Sequence, residues 1–388
     1  MSVFRALLLL AVILTGAAAV EAQAVTDLCP IPGLRAQPSE PLPGGLIVTN
    51  FDRRNLWVYN VDRGNRYPIE GTRPCKSNCH LSPDGYWLTV YNAAEEGFDK
   101  MLLDGSSRQY IARRVTDVEW WSPDTLLVWT AAQTPALQQE GSDEREVFAG
   151  VRVYSVQPGG RWALAMKQDG DAFVRELVDL DDPARRAPIG ADTPYFNAVA
   201  WSPDGRTLAY VQAIMRDGVP AAEIFAVDPG MAAFPAQWTQ LAQTVGAVRI
   251  GGESWVNSLS WSPDGRTIAF WLTESTSLDP AAEITAEPSS EITPEAAPPV
   301  EATLYTLDVN SRRLTRYCGL ATRQHLPNPP RLVWSPDSSH IAFGTDIEDN
   351  PRGNLLIVLN VTSGEFIELS SGVNAVLGAP DVVAWGWR

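Results

Sequence analysis

Apolar residues come in short runs along this chain, and one polar break interrupts them again and again. Trp201 is followed by Ser202-Pro203-Asp204-Gly205, and Leu208-Ala209-Tyr210 then resumes the apolar pattern. The same order returns at Trp261-Ser262-Pro263-Asp264-Gly265 before Ile268-Ala269-Phe270, and at Trp334-Ser335-Pro336-Asp337 before His340-Ile341-Ala342-Phe343. Trp121-Ser122-Pro123-Asp124 and Leu81-Ser82-Pro83-Asp84-Gly85 are further copies. Proline presets φ for a turn, the aspartate side chain bonds nearby backbone N–H groups, and glycine accepts positive φ. Each copy therefore predicts a tight corner between two antiparallel strands, and its recurrence predicts a repeat protein.

A second pattern follows each corner. Leu56-Trp57-Val58-Tyr59-Asn60-Val61-Asp62 recurs as Leu304-Tyr305-Thr306-Leu307-Asp308-Val309 and as Leu355-Leu356-Ile357-Val358-Leu359-Asn360-Val361. A short polar turn and one more apolar run come after it, so the unit is four antiparallel strands, A to D, with the corner between A and B. Strand formers separated by turn signals, in four-stranded units, predict an all-β fold and a single β-propeller. Strands A end near Leu81, Trp121, Trp201, Trp261, Trp334 and Trp385, which makes six blades. Val151–Val156 with Pro158-Gly159-Gly160 and Trp162-Ala163-Leu164-Ala165 reads either as a decayed A–B corner, giving seven, or as a C strand, leaving six. Seven leaves fewer orphan strands. The run Val382-Val383-Ala384-Trp385 resembles an A strand with no corner after it, and residues 46–70 resemble B, C and D with no A before them. Pairing the C-terminal strand with the N-terminal blade closes the ring and removes its open edges.

The flanks read differently. Residues 1–22 have a charged start and an apolar run too short for a comfortable transmembrane helix, then small residues suited to cleavage, which predicts a signal peptide; a retained anchor is the alternative. Residues 23–45 are Pro-rich and aperiodic, an extended arm before a propeller at 46–388. Residues 275–302, acidic and Pro-rich, predict a disordered insert between strands B and C of one blade. Cys29, Cys75, Cys79 and Cys318 suit an exported chain with two disulfides, for which three connectivities exist. Cys75 with Cys79 would close a small loop, and Cys29 with Cys318 would tie the arm to the body.

Charge removes some functions. A formal charge of −16 without a basic stripe argues against nucleic acid and against an anionic membrane surface. The Trp-Ser-Pro-Asp-Gly corners with Ile-Ala-Phe after them resemble the TolB-type propeller repeat, over nearly all of residues 46–388. That resemblance implies a periplasmic or otherwise exported interaction platform. Similar blades also precede the catalytic domain of some prolyl peptidases. Only a short arm precedes the blades here, so the amino-terminal domain of that family is not expected.

Recognisable catalytic motifs are missing. The chain contains no G-x-S-x-G elbow, P-loop or dinucleotide fingerprint. Its three histidines are His80, His325 and His340. His325 lies among prolines, and His340 falls just past a corner, where a solvated side chain is expected. Propeller lyases that resemble this repeat bind metal through histidines, but no metal or other cofactor is assigned from these three. Cys75-Lys76-Ser77-Asn78-Cys79-His80 is one residue longer than a haem-attachment spacing, and a cystine is expected instead. Asp179-Leu180-Asp181-Asp182 offers chance carboxylate pairs. Glu119 is more informative, because it aligns with the core positions Val199 and Leu259 and would be half-buried near the central channel. Glu119 and His80 are thus the candidate channel or ligand residues, with no catalytic set. The expected function is a non-catalytic exported propeller, periplasmic or extracellular, monomeric, that binds a protein, peptide or envelope component. A channel-mouth polysaccharide lyase or glycoside hydrolase is the alternative.

Overall fold

The computed structural model describes residues 25–387 apart from 31–32, 51–53, 76–77, 132–133, 143, 149–151, 170–171, 190–197, 217–218, 233–242, 250–254, 275–299, 325–330, 346–354 and 372–381. The leader, most of the acidic insert and His325 thus lie outside the described residues. The chain is a seven-bladed β-propeller. Blade 1 is assembled from both ends of the chain: strand A is Val382–Gly386, and B, C and D are Leu46–Asn50, Leu56–Asn60 and Asn65–Ile69. In blade 2, strand A shrinks to a single bridge, Leu81 to Leu88, inside B, C and D at Trp87–Asn92, Gly97–Leu102 and Gln109–Arg113. Blade 3 runs Asp117–Ser122, Thr125–Trp129, Pro135–Gln139 and Arg145–Val147. Blades 5, 6 and 7 have their A strands at Val199–Trp201, Trp255–Trp261 and Val333–Trp334.

Blade 4 settles the ambiguous segment. Ser155–Val156 is its strand A, paired with Trp162–Asp169, and Ala172–Asp179 and Arg186–Pro188 complete it. Its corner has lost the serine, and Gln157 does the serine's job. In the regular corner of blade 5 the Ser202 N–H donates to Thr207 O at 2.8 Å, and the Thr207 N–H donates to Ser202 Oγ at 2.9 Å. In blade 4 the Gln157 N–H donates to Trp162 O at 2.8 Å, and the Trp162 N–H donates to Gln157 Oε1 at 3.1 Å.

Period-two alternation gives each strand two buried faces, one for each neighbouring blade. In blade 5, Leu208 and Tyr210 pack with Trp162 and Leu177 of blade 4, whereas Ala209 and Val211 pack with Ile268 and Phe270 of blade 6. Seven such apolar clusters join successive blades. The last of them packs Ile47, Val382 and Trp385 of blade 1 against Ala342 and Val358 of blade 7, so the ring is shut by the same means that builds it. Corner indoles add directional links: Trp261 Nε1 donates to Ala200 O and Trp334 Nε1 to Ser260 O, each at 3.1 Å, reaching the innermost strand of the preceding blade.

The arm is a strap. Val25–Leu28 pairs in parallel with strand D of blade 6, Arg313–Gln324, and Leu34–Arg35 pairs in parallel with strand D of blade 7, Phe366–Ser371. Leu28 and Leu34 pack against the cluster between those blades. The cysteines form two pairs at disulfide distance, Cys29 with Cys318 and Cys75 with Cys79, with Cα separations of 5.1 and 5.7 Å. Strands B and C of blade 6, Thr267–Glu274 and Val300–Asp308, pair with each other and flank the acidic insert. Among the described residues no helix is long and apolar enough to cross a membrane.

Two corner glycines make the backbone argument testable. Gly205 and Gly265 hold nearly the same positive φ, +70° and +69°, but a Cβ on Gly205 would lie 2.1 Å from Pro158 O, whereas one on Gly265 meets nothing within 4 Å. Gly265→Ala is expected to cost about 1 kcal/mol, from the left-handed backbone alone. Gly205→Ala adds a backbone clash and is expected to cost at least about 2 kcal/mol. Denaturant unfolding of the two variants checks both the order and the gap.

Candidate functional site

The polar cluster of interest forms where blade 2 departs from the repeat. Cys75 and Cys79 are buried in the cluster between blades 1 and 2, among Leu46, Leu88 and Val383. Asn50, also buried, clamps Cys75 from both sides: its Nδ2 donates to Cys75 O at 2.9 Å, and its Oδ1 accepts from Cys75 N at 3.0 Å. The next residue after Cys79 is His80. Its N–H donates to Thr89 Oγ1 at 2.9 Å, and its carbonyl accepts from Thr89 N at 3.0 Å and from Trp120 Nε1 at 3.3 Å. These bonds to its backbone fix where the imidazole starts.

The ring reaches across to blade 3. His80 Nε2 lies 3.1 and 3.2 Å from the two carboxylate oxygens of Asp117. Asp117 opens strand A of blade 3 and also accepts from Val118 N at 2.8 Å. Glu119 is two residues on, so it shares the strand face of Asp117. Trp129 Nε1 donates to Glu119 Oε1 at 2.7 Å. Ligating atoms of His80, Asp117 and Glu119 all lie within 4.8 Å of one another. Arg331, from the segment leading into blade 7, donates to Val383 O at 3.3 Å and places its positive charge near both Asp117 and His80.

The charges interact strongly because the site is largely removed from water; about a quarter of the His80 side chain is exposed. Burial pulls the His80 pKa down, but the Asp117 hydrogen bond and the charges of Glu119 and Asp117 outweigh it, and the net shift is upward. Burial, helped by the Asp117 charge, raises the Glu119 carboxyl against the opposing pull of His80 and of the Trp129 bond. A carboxyl held up beside an imidazole and a second carboxylate can accept a proton, bind a cation, or bind a ligand donor.

His80 and Glu119 line a cavity of about 500 Å³. The corners line it as well: Pro83, Pro158, Pro203, Pro263 and Pro336 each come from a different blade, and Trp387 joins them. Pro158 stands among them although its corner lacks both serine and aspartate. Trp387 is partly exposed and is held to the blade 2 corner by its N–H, which donates to Gly85 O at 2.9 Å.

The structure brings together the two channel residues expected from the sequence, His80 and Glu119, and adds two that the sequence reading missed, Asp117 and Arg331. The Asp117-Val118-Glu119 spacing carried a period-two signal for the first; Arg331 carried none. The expectation that His340 is solvated is wrong. Its side chain is buried, with Nδ1 2.6 Å from Ser339 Oγ and the ring 6.4 Å from that of Trp385, because blade 1 closes over this corner. It stands apart from the His80 cluster. Asp179, from the acidic run in blade 4, is buried and ion-paired, 2.9 Å from Arg185.

Comparisons with known proteins agree with the fold. A profile of the WD domain, G-beta repeat, matches residues 246–270, which hold strand A and the corner of blade 6. No curated protein matches in sequence. Among solved structures, the uncharacterized protein lmo1340 from Listeria monocytogenes EGD-e superposes with a TM-score of 0.51 at 12% identity, covering 92% of this chain and 100% of that one. An oligogalacturonate lyase in complex with manganese gives 0.49 at 13% identity, over 87% and 88% of the two chains. A putative TolB from Agrobacterium tumefaciens gives 0.40 at 16% identity, over 87% and 94%. At these identities the likeness is one of fold.

His340 generates a pH prediction. Burial lowers its pKa, against the weaker upward pull of Asp337 and Glu40, so the folded protein resists protonating it. The unfolded chain then binds the extra proton, and stability falls as pH drops through about 6.5, the ordinary histidine value. His340→Thr installs the residue that blades 5 and 6 carry at this point, Thr207 and Thr267. Denaturant melts at pH 7.5 and 5.5 should show a smaller acid loss in the variant than in the wild type; an equal loss contradicts the assignment.

Proposed function

We propose that this protein is an exported, non-catalytic propeller that binds a protein segment, a peptide or another envelope component in the funnel on its corner face. The observation that carries the reading is the cavity: prolines and tryptophans line it together with the imidazole of His80 and the carboxylates of Glu119 and Asp84. Such a mix, mostly apolar with a few converging polar groups, is the usual make-up of a binding pocket. Proline rings and indoles are rigid, so they lose little conformational freedom when a ligand covers them. The two cysteine pairs fit an oxidising compartment, which supports export.

A second reading has one observation in its favour. Glu119, raised in pKa and facing a cavity beside Asp117, has the environment of a general acid, so a channel-mouth lyase or glycoside hydrolase is the alternative.

A photo-crosslinking side chain placed at Trp387, on the funnel rim, is compared in the native envelope with one at Met231, which is exposed but does not line the funnel. Platform binding predicts a saturable crosslinked partner from the rim position alone, competed away by excess untagged protein. Equal labelling from both positions, or none, overturns the reading. Cleavage of a polysaccharide by the wild type that is lost in Glu119→Gln would establish the enzyme instead.

A further inference from the structure

We propose that His80, Asp117 and Glu119 form a site for one divalent first-row transition-metal ion beside the cavity. The donor set is one imidazole nitrogen and two carboxylates, contributed by adjacent blades. Ligands about 2.1 Å from a common ion stand roughly 3.0–3.4 Å from each other at octahedral to tetrahedral angles. His80 Nε2 is 3.1 and 3.2 Å from the two Asp117 oxygens, already within that range. Only Glu119 must swing inward, since its donor lies within 4.8 Å of the others.

The surrounding bonds hold the donors as an outer shell does at known metal centres. Thr89 and Trp120 fix the His80 backbone. The Val118 N–H orients one Asp117 oxygen. Trp129 occupies one Glu119 oxygen and leaves the second available. The charge count also favours a cation. Two carboxylates against the guanidinium of Arg331 leave one negative charge when the imidazole is neutral. Binding takes the place of the hydrogen between Nε2 and the carboxylate, which leaves to solvent as a proton, and no redox partner is needed.

A nitrogen donor and a small ligand number select against calcium, which takes six to eight oxygens, and suit zinc or manganese. His80 and Glu119 both line the cavity, so the open side of the ion faces the space where a water or a ligand's acceptor group completes the shell.

The test uses the tag-free mature chain, stripped with chelator and titrated with Zn²⁺ and Mn²⁺ by calorimetry. One ion per chain is expected, with affinity falling at least about 10- to 100-fold in Asp117→Asn and in Glu119→Gln. Circular dichroism of the metal-free variants confirms their fold. A second readout needs no variant: pulsed EPR of Mn²⁺ bound to the wild type should show coupling to a histidine nitrogen. Absence of saturable binding, affinity unchanged in both folded variants, or bound Mn²⁺ without nitrogen coupling overturns the site and leaves a His80–Asp117 ion pair as its whole role. The inference does not depend on the platform reading; crosslinking from Trp387 repeated in chelator separates the two.

Discussion

A serine hydroxyl shared between an aspartate and a backbone amide holds each regular blade in shape. At the corners of blades 2, 5, 6 and 7 the serine is buried; its Oγ donates to the aspartate two residues on and accepts the N–H of the residue five on. One side chain thus satisfies the amide of the incoming strand B and pins the turn that delivers it. The aspartate then accepts a further turn amide, at 3.0 Å from Arg206 and 3.1 Å from Arg266. Where the serine is missing, in blade 4, a glutamine rebuilds the main contact to the next strand. Substituting the part while keeping the bond indicates that the bond is what the fold requires.

Repetition of that corner has a second effect. Corner prolines from blades 2, 4, 5, 6 and 7 all line one cavity. A device that answers only to backbone hydrogen bonding within a blade thereby produces, over the ring, a cavity with its own chemical character. The His80–Asp117–Glu119 cluster arises where the repeat is broken. Blade 2 gives up most of its innermost strand for a cystine loop ending in His80, and blade 3 puts Glu119, two residues after Asp117, where blades 5 and 6 have Val199 and Leu259.

The fold was largely legible because its grammar is local: corner, strand and turn each lie within a few residues, and five copies repeat it. The blade count was not, since Gln157 does not look like a serine until its bonds are seen. The site was legible in part. Glu119 stood out as a charge at an apolar position, and His80 by its neighbour Cys79. The partnership of His80 with Asp117 and Arg331 was hidden, because those groups come from separate blades and meet only in the folded ring. His340 shows the converse error: alignment with Thr207 and Thr267 suggested a wet position, but the imidazole is buried, with its ring 6.4 Å from that of Trp385 in the returning strand.

The composite first blade and the strap have a consequence for how the chain reaches this state. Leu46–Asn50 hydrogen-bonds to Val382–Gly386, and Val25–Leu28 to Arg313–Gln324. Leu46–Asn50 can pair with Leu56–Asn60 at once, but its other edge, like Val25–Leu28, waits for a partner until every intervening blade has been made. Until then the edge of Leu46–Asn50, all of it buried in the finished ring, is an open apolar template of the kind that recruits foreign strands. Closing so long a loop carries a high entropic cost and delays folding. The ring thus gains its cooperativity at the expense of a prolonged period in which its own beginning must be kept from pairing elsewhere.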